Sequence, residues 1–292
     1  MNIRAALQHG RDRLAPSDSA PLDARLLLMG TLGTSHSYLV AHDEQELTAA
    51  QETVYREWIA QVAQGYPVPY LLGRADFYGR TFQVSPAVLI PRPETEMLVD
   101  AARQWVADQS AADESAADGR GLHLVDVGTG SGCLAVTLAL ELPAARVTAV
   151  DVSADALAIA RANGRRYGFG PDSTRLQFVQ SDLLTAVALP LDLIVANLPY
   201  VTDREWTDLP DGVKLYEPAL ALKGGVDGLA LIRDLLIQAG SRLHRPGAIF
   251  LEIGWQQGNS AAQLARTLFP DARVFVKKDL ADHDRLVMIT VV

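Results

Sequence analysis

The strongest constraint on the fold is an alternation of short apolar runs with helical segments, which begins at residue 122. The apolar runs are LHLVDVG, RVTAVDV, LQFVQSDL, LDLIVANL, AIFLEIG, ARVFVKK and LVMITVV. Apolar strands that alternate with helices are typical of a parallel sheet covered on both faces. Since no obvious helix separates the last two runs, we expect them to form an antiparallel hairpin at the sheet edge. The sequence therefore predicts an α/β fold with a seven-stranded sheet.

Residues 1–72 have a different pattern, in which apolar residues recur at helical spacing. Thr48 and Gln51 have the spacing of a capping box at the start of one of these helices. An apolar face of that helix consists of Val54, Trp58, Ile59 and Val62. We expect a small N-terminal helical-bundle domain.

Residues 73–92 separate the two patterns. Aromatic and β-branched residues alternate here with Gly and Pro, which predicts a short hairpin and a linker. The α/β domain then covers residues 93–292 and begins with a helix, in which Pro93 suits the first position. Within this domain, the small and polar segment 108–121 is predicted to be a solvated loop.

The composition argues against several classes of protein. The chain has 292 residues, a formal net charge of −9 and a single cysteine, Cys133. One cysteine permits no intramolecular disulfide, and an acidic chain lacks the basic footprint of most nucleic-acid-binding proteins. The first residues have no signal-peptide pattern, and no apolar run is long enough to span a membrane. We therefore expect a cytoplasmic protein without a membrane partner.

A glycine-rich segment, VDVGTGSGCLA, has the pattern of a strand, a tight turn and the start of a helix. Gly128, Gly130 and Gly132 allow a sharp turn and a close approach of the backbone to a ligand. The N–H groups at the helix start can bind a polar or anionic ligand. Asp151 ends the next strand, where a carboxylate can accept hydrogen bonds from both ribose hydroxyls of an adenosine-containing cofactor.

The spacing of the glycines indicates which cofactor binds. The dinucleotide fingerprint is G-x-G-x-x-G/A, whereas here the third glycine comes one residue earlier and the sixth position is Cys133. The resulting G-x-G-x-G pattern resembles that of S-adenosylmethionine-dependent methyltransferases, which have a Rossmann-like fold. Asp182 ends the third strand, where such folds place a group near the adenine amino nitrogen; a capping role is an equally open alternative. Leu183 would then form an apolar wall beside the adenine ring.

The fourth strand ends in the stretch ANLPY, at the sheet edge where ligands bind in such folds. The stretch resembles the [Asn/Asp]-Pro-Pro-[Tyr/Phe] motif of methyltransferases that act on planar nitrogen, with Leu198 replacing the first proline. The delocalised lone pair makes such a nitrogen a poor nucleophile. The side-chain oxygen of Asn197 and the backbone carbonyl of Leu198 can accept its two N–H hydrogen bonds. Pro199 restricts the backbone and Tyr200 offers a face for stacking, so the motif orients the acceptor instead of supplying a base.

Segments spread over nearly the whole chain resemble the peptide chain release factor glutamine methyltransferases. They are LLGRADFYGRTFQVSPAVLIPRPETE (71–96), VDVGTGSGCLA (125–135), ANLPYV (196–201), YEPALALKGGVDGL (216–229) and LEIGWQQG (251–258). The resemblance implies transfer of a methyl group from S-adenosyl-L-methionine to the side-chain nitrogen (N5) of a glutamine. That glutamine belongs to the Gly-Gly-Gln motif of class 1 peptide chain release factors. The N-terminal helical domain would recognise this protein substrate.

The resemblance also implies roles for individual residues. Together with Asp182, the cofactor-binding residues would be Gly128, Thr129, Gly130, Ser131, Gly132, Asp151, Leu183 and Asn197. The glutamine would be held by Asn197, Leu198, Pro199 and Tyr200. Arg92 and Glu94 lie in a segment that closes over the cofactor in the family, although ordinary helix-start roles are as well supported. Glu217 is either a substrate contact or part of a structural turn. Asp282, where the family commonly has Gly, is assigned no catalytic role.

Other functions remain open from the sequence. An adenine-N6 methyltransferase of DNA or RNA can use the same four-residue motif, although the acidic balance and the lack of a basic stripe argue against it. A glutamine methyltransferase acting on a ribosomal protein would use the same chemistry. The intact glycines, Asp151 and the Asn-Leu-Pro-Tyr motif argue against a cofactor-binding protein without activity. The six histidines lack metal-ligand spacing, so no metal site is predicted.

Overall fold

The computed structural model describes residues 1–15, 17–112, 121–188 and 190–292. These residues divide into two compact units. The helical unit comprises Met1–Arg74 and Pro210–Tyr216, and the α/β unit comprises Ala75–Leu209 and Glu217–Val292. None of the helices in the described ranges is long and apolar enough to cross a membrane.

The secondary structure of the described residues follows the order of the chain. The helices are α1 (Ile3–Leu14), α2 (Ala20–Leu32), α3 (His36–Ala41), α4 (Ala49–Val62), α5 (Val68–Leu72), α6 (Glu96–Ala112), α7 (Cys133–Glu141), α8 (Ala154–Arg166), α9 (Asp203–Asp208), α10 (Asp211–Tyr216), α11 (Ala230–Ala239) and α12 (Gly258–Leu268). The strands are β1 (Arg74–Phe77), β2 (Arg80–Gln83), β3 (His123–Val127), β4 (Arg146–Asp151), β5 (Leu176–Gln180), β6 (Leu191–Ala196), β7 (Val201–Thr202), β8 (Lys223–Gly225), β9 (Leu243–Glu252), β10 (Arg273–Lys278) and β11 (Asp284–Val291). Short 3-10 turns cover Pro93–Thr95 and Ala219–Ala221.

The helical unit is built around α1, α2 and α4, which pack against one another. The predicted capping box at the start of α4 is confirmed, with Thr48 and Gln51 each bonding to the other's backbone N–H. The prediction for its apolar face is wrong at Val54, which is 37% exposed. Tyr55 is fully buried instead, and its hydroxyl donates to the carbonyl of Ala24 at 3.2 Å. A tyrosine with a buried hydrogen-bond partner thus shifts the buried face by one residue.

The central sheet of the α/β unit contains seven strands within the described residues, in the order β10-β11-β9-β6-β3-β4-β5. Strands β9, β6, β3, β4 and β5 run parallel, while β11 lies antiparallel between β9 and β10. The predicted α/β fold and its antiparallel edge hairpin are therefore confirmed. Because the five parallel strands share one direction, their carboxyl ends meet at one edge of the sheet.

Both faces of this sheet are covered, which explains why the strand sequences are apolar without alternation. In β6, Leu193 and Val195 belong to one buried cluster, which also contains residues of α6 and α7. Ile194 and Ala196 belong to a second cluster, on the side of α11 and α12. A strand buried on both faces has no positions left for polar side chains that face water.

Three further details differ from the sequence-based predictions. The helix predicted from Pro93 begins as a 3-10 turn and becomes α6 at Glu96. The predicted loop 108–121 is wrong in its first part, because α6 continues to Ala112; residues 113–120 lie outside the described residues. Good helix formers such as Ala and Gln extend a helix that is already nucleated. The small parallel sheet of β7 and β8 was not predicted, since such short strands carry no periodic signal.

Candidate active site

A cavity of about 520 Å³ lies at the carboxyl edge of the central sheet, within the α/β unit. Its wall includes the glycine-rich turn after β3, Asp151 at the end of β4, Leu183 after β5 and Asn197 after β6. The volume lies within the range of about 300–1,000 Å³ that is typical of small-molecule sites. Four neighbouring strands thus deliver the sequence-predicted residues to one place.

Most of the predicted site residues contribute to the wall of this cavity. They are Gly128, Thr129, Gly130, Ser131, Asp151, Asp182, Leu183, Asn197, Leu198 and Pro199. Two predicted residues, Gly132 and Tyr200, lie just outside the wall. Two further segments contribute residues to the wall, one within residues 87–95 before α6 and one from Pro218 to Ala221 after α10. The first contains Arg92, for which the resemblance left open a position over the cofactor and an ordinary helix-start role.

The glycines of the turn serve different purposes. Gly130 has a φ of +53°, and a Cβ added there would meet no atom within 4 Å. The backbone at Gly130 therefore needs a left-handed conformation and leaves open space for a ligand. Gly132 has a φ of +78°, and a Cβ added there would lie 3.0 Å from the Cβ of Ala160. Gly132 thus permits the start of α7 to pack closely on α8.

Asp151 holds the glycine-rich turn and keeps acceptor capacity. Its Oδ2 accepts from the backbone N–H of Gly130 at 2.9 Å, and its Oδ1 accepts from that of Ser153 at 2.9 Å. Each carboxylate oxygen has a second lone pair. A cavity-lining carboxylate with acceptor capacity on both oxygens suits a diol such as the ribose hydroxyls.

A second acid, Asp126, lies beneath the turn and is fully buried. Burial raises the pKa of its carboxyl to about 7, although hydrogen bonds from Thr129 and Ala135 lower it. The Thr129 hydroxyl donates to Asp126 Oδ2 at 2.6 Å, and the Ala135 N–H donates to the same oxygen at 3.1 Å. Asp126 therefore ties the turn to the first residues of α7.

The loop after β5 forms a further part of the wall. Asp182 is exposed, whereas Leu183 is buried and has a φ of +49°. This left-handed conformation is uncommon for a residue other than glycine. The conformation places an apolar side chain in the cavity wall, as an adenine ring requires, and leaves Asp182 at the solvent side.

Leu198, the departure from the usual motif, is part of the core. Its side chain is buried, and its Cδ2 lies 3.1 Å from the position that a Cβ on Gly128 would occupy. Gly128 therefore makes room for Leu198 as well as for the turn. Apolar packing against the glycine-rich turn takes the place of the rigidity that a proline would give to this loop.

The backbone of Pro199 and Tyr200 is held by the Gln257 side chain and by close packing against Gly224. Gln257 Nε2 donates to the carbonyl of Tyr200 at 3.0 Å, and Gln257 Oε1 accepts from the N–H of Gly254 at 2.8 Å. A Cβ added to Gly224 would lie 2.6 Å from the carbonyl oxygen of Pro199. Burial raises the pKa of the Tyr200 hydroxyl above its ordinary value. The segments 216–229 and 251–258 therefore support the motif loop.

A chain of hydrogen bonds leads from the motif into the protein interior. Asn197 Nδ2 donates to Thr95 Oγ1 at 2.9 Å, and the Thr95 hydroxyl donates to Glu252 Oε2 at 2.6 Å. The Tyr200 hydroxyl approaches Glu252 Oε1 at 3.4 Å. Sequence reasoning assigned no role to Thr95 or Glu252. One signal was present for Glu252, because an acid that ends an apolar strand lies at the same sheet edge as Asp151.

An ion pair joins Arg92 and Glu217, whose roles the sequence left open. Arg92 Nη2 lies 2.5 Å from Glu217 Oε1, and Glu217 Oε2 accepts from the N–H of Ile90 at 3.2 Å. The Glu217 side chain is 2% exposed and that of Arg92 is 34% exposed. The pair thus connects residues 87–95 with the wall segment that begins at Pro218.

Comparisons with known proteins show the family of this chain. Residues 5–73 match the family model of the PrmC N-terminal domain, and residues 111–209 match that of the methyltransferase small domain. The release factor glutamine methyltransferase of Koribacter versatilis (strain Ellin345) is 40% identical over 270 residues, which cover 91% of each chain. That of Chlorobaculum tepidum is 40% identical over 274 residues, which cover 92% of this chain and 88% of the relative. The chain belongs to the release factor glutamine methyltransferase family.

More distant proteins share the fold of this chain. The solved structure described as the delta-N METTL16 MTase domain is 17% identical and covers 74% of this chain and 90% of its own, with a TM-score of 0.51. At that identity the likeness concerns the fold alone. The cofactor of the family, S-adenosyl-L-methionine, fits the cavity: there is open space at Gly130, a carboxylate with acceptor capacity at Asp151 and an apolar wall at Leu183.

Proposed function

We propose that this protein transfers a methyl group from S-adenosyl-L-methionine to the side-chain amide nitrogen (N5) of a glutamine. The glutamine is that of the Gly-Gly-Gln motif of class 1 peptide chain release factors. The observation that carries the proposal is the Asn197 amide, whose nitrogen donates to Thr95 at the wall of the cofactor cavity. The family membership of the chain supports the same reaction.

The Asn-Leu-Pro-Tyr loop acts in this proposal by holding the acceptor amide. Since Asn197 Nδ2 donates to Thr95, the side-chain oxygen of Asn197 is the group that accepts one N–H of the glutamine. The backbone carbonyl of Leu198 accepts the other, and Pro199 restricts the backbone that aims it. Tyr200 provides the flat surface beside the amide plane.

Orientation is the source of the rate gain, because a planar amide nitrogen is a poor nucleophile. When bound, S-adenosyl-L-methionine supplies an electrophilic methyl group on its sulfonium centre. Two accepted N–H hydrogen bonds fix the nitrogen in line with that group and stabilise the positive charge that develops on it. The nitrogen would gain the methyl group while the methyl–sulfur bond breaks and its electron pair stays on sulfur as a neutral thioether. The nitrogen would then release one N–H proton to water, so the product amide is neutral.

On the cofactor side, we assign Asp151 to the ribose hydroxyls and the turn from Gly128 to Gly132 to the backbone contacts. Leu183 contacts the adenine ring, and Asp182 lies near its amino nitrogen. The exposed position of Asp182 and the buried position of Leu183 support this division. Asn197 contacts both the cofactor and the acceptor.

We further assign residues 1–72 to recognition of the protein substrate, residues 73–92 to a hairpin and linker, and residues 93–292 to the methyltransferase domain. The match of residues 5–73 to the PrmC N-terminal domain model supports the first assignment. Helix α10 packs in the helical unit, where the rings of Tyr66 and Tyr216 are 4.9 Å apart, and it follows the motif loop closely in the chain. A protein partner, and no nucleic acid, agrees with the net charge of −9. The single cysteine suits the cytoplasm as the place of reaction.

The test uses methyl-labelled S-adenosyl-L-methionine and three acceptors. They are a purified class 1 release factor, the same factor with the Gly-Gly-Gln glutamine changed to alanine, and genomic DNA. Label on the intact factor alone is the expected result. Label on DNA would instead support the adenine-N6 alternative, and absence of label from the intact factor would refute the proposed substrate.

A further inference from the structure

The proposed function leaves one buried charged residue at the site without a role. Glu252 ends β9 and is 2% exposed. Strands β6 and β9 are parallel neighbours, and Ala196 is paired with Leu251. Asn197 and Glu252 therefore come next on adjacent strands, at the edge that forms the cavity. Burial of a carboxylate is unfavourable unless other groups compensate it, so its presence here points to a function.

The contacts of Thr95 connect this carboxylate to the motif. A threonine hydroxyl has one hydrogen to donate, and Thr95 donates it to Glu252 Oε2 at 2.6 Å. The distance lies within the range of about 2.5–2.7 Å for a hydroxyl that donates to an ionised carboxylate. Having donated its hydrogen to Glu252, Thr95 Oγ1 faces Asn197 as an acceptor, and Asn197 must present its NH₂ group to it.

If these hydrogen bonds ran in the opposite direction, Asn197 could no longer accept a hydrogen bond from the substrate amide. A neutral Glu252 that donates to Thr95 releases the hydroxyl hydrogen towards Asn197, which then presents its oxygen to Thr95. The NH₂ group of Asn197 would face the cavity, where the glutamine also presents N–H donors. Ionised Glu252 thus selects the amide orientation in which Asn197 accepts a hydrogen bond from the acceptor nitrogen.

We propose that Glu252 is a positioning residue which, through Thr95, fixes the Asn197 amide with its oxygen towards the acceptor nitrogen. This inference rests on the proposed methylation of an amide nitrogen. Glu252 touches neither the cofactor nor the substrate in this account, and it also lies beside the hydroxyl of Tyr200.

The surroundings of Glu252 make the arrangement sensitive to pH. Thr95 and Glu94 face it from the 3-10 turn before α6, Tyr200 faces it from the motif loop, and Arg285 faces it from β11. Burial raises the pKa of Glu252 to about 7; the Thr95 hydrogen bond and Arg285 lower it, and Glu94 raises it. The productive orientation is therefore favoured above about pH 7 and is lost as the pH falls.

The first test compares kinetic constants of matched variants. Thr95→Val removes the hydroxyl at nearly constant volume, Thr95→Ser retains it, and Glu252→Gln removes the charge. Loss of a hydrogen bond to a charged group predicts a fall in kcat of about 10- to 100-fold for Thr95→Val. Glu252→Gln keeps an acceptor oxygen but can also donate, so it no longer fixes the direction of the Thr95 hydrogen bond and should lower kcat by a smaller factor. Cofactor affinity should be little changed, and Thr95→Ser should restore most of the turnover. Glu141→Gln, which removes a partly buried carboxylate at the far end of α7, is the control and should behave as wild type.

The pH profile separates positioning from simple structural support. In wild type, kcat/KM should rise between about pH 6 and pH 8 as Glu252 ionises. Glu252→Gln should lack this rise. A rise that persists unchanged in Glu252→Gln, or wild-type kcat in Thr95→Val, would overturn the proposal.

A readout without turnover distinguishes this inference from the proposed function. The side-chain NH₂ resonances of Asn197, identified by their loss in Asn197→Asp, are followed by ¹⁵N NMR across the same pH range. Wild type should titrate with a midpoint of about 7, and Glu252→Gln should not titrate. If this titration is seen but no release factor is methylated, the proposed substrate fails and the positioning role stands. If a release factor is methylated but the resonances do not titrate, the positioning role fails alone.

Discussion

The Arg92–Glu217 ion pair gives a prediction whose magnitude follows from burial. Removal of one partner of a fully buried pair costs about 3–5 kcal/mol, whereas exposed pairs contribute about 0–1 kcal/mol. Here the carboxylate is 2% exposed and the guanidinium 34% exposed, so water screens one partner only. We therefore expect a coupling free energy of about 1–2 kcal/mol between the two side chains.

The assay is a double-mutant cycle with Glu217→Gln, Arg92→Met and the double variant. Both substitutions retain side-chain volume, so the cycle isolates the charge interaction rather than a cavity. Unfolding in urea is followed by tryptophan fluorescence, and cofactor affinity is measured by calorimetry. Because the pair joins two segments of the cavity wall, each single variant should also weaken cofactor binding. If a coupling of about 1–2 kcal/mol is lost from binding, the cofactor Kd rises by about tenfold.

The control is the Arg233–Asp227 pair, which has a distance of 2.8 Å but side chains that are 42% and 51% exposed. Its cycle should give a much smaller coupling. A coupling for Arg92 and Glu217 as small as that of the control, with unchanged cofactor affinity, would refute the reasoning that this pair fixes the wall.

Three further predictions concern the cavity. Gly130→Ala should weaken cofactor binding more than Gly132→Ala does, because its Cβ would take up space that is open to the ligand. Both substitutions cost about 1–2 kcal/mol of backbone strain, but Gly132→Ala should lower the melting temperature more because its Cβ also collides with α8. Calorimetry measures the first effect and thermal melts the second, and the reverse order would contradict the roles given to these glycines. Asn197→Ala should abolish turnover with a milder loss of cofactor binding, while Asp151→Ala should mainly raise the cofactor Kd. Wild-type turnover of Asn197→Ala, or a wild-type cofactor Kd of Asp151→Ala, would contradict the role given to that residue. The pKa of Asp126 is raised by burial to about 7 in the folded state, so the fold binds this proton more tightly than the unfolded chain and loses stability as the pH rises from about 4 to 7. Asp126→Asn should lose less stability over that range in a series of thermal melts, and an identical pH dependence in both proteins would show that this carboxyl is not the cause.

Features that depend on local sequence were predictable here. The strands of the central sheet follow from apolar runs, and the capping box of α4 follows from the spacing of Thr48 and Gln51. The glycine-rich turn and Asp151 were also identifiable, because consecutive strands of a parallel sheet place their ends side by side. Each of these signals lies within a short stretch of the chain.

Contacts between distant residues were not predictable in the same way. Thr95 and Glu252 are 157 residues apart in the chain, and Arg92 and Glu217 are 125 residues apart. Hydrophobic periodicity predicts local secondary structure, but it does not predict which strand end will contact a given turn. The buried position of Leu198 is a similar case, since its partner Gly128 belongs to another strand end. The resemblance to the family identified the segments that contain these residues. The contacts between the residues become visible only in the fold.

We propose that the Asn-Leu-Pro-Tyr loop presents a glutamine side-chain nitrogen for methylation. The most direct measurement is tandem mass spectrometry of a class 1 release factor after reaction with wild type and with Asn197→Ala. We expect a single methyl group on the side-chain nitrogen of the Gly-Gly-Gln glutamine with wild type, and none with the variant. A methyl group on any other residue or atom, or the same product from Asn197→Ala, would contradict it.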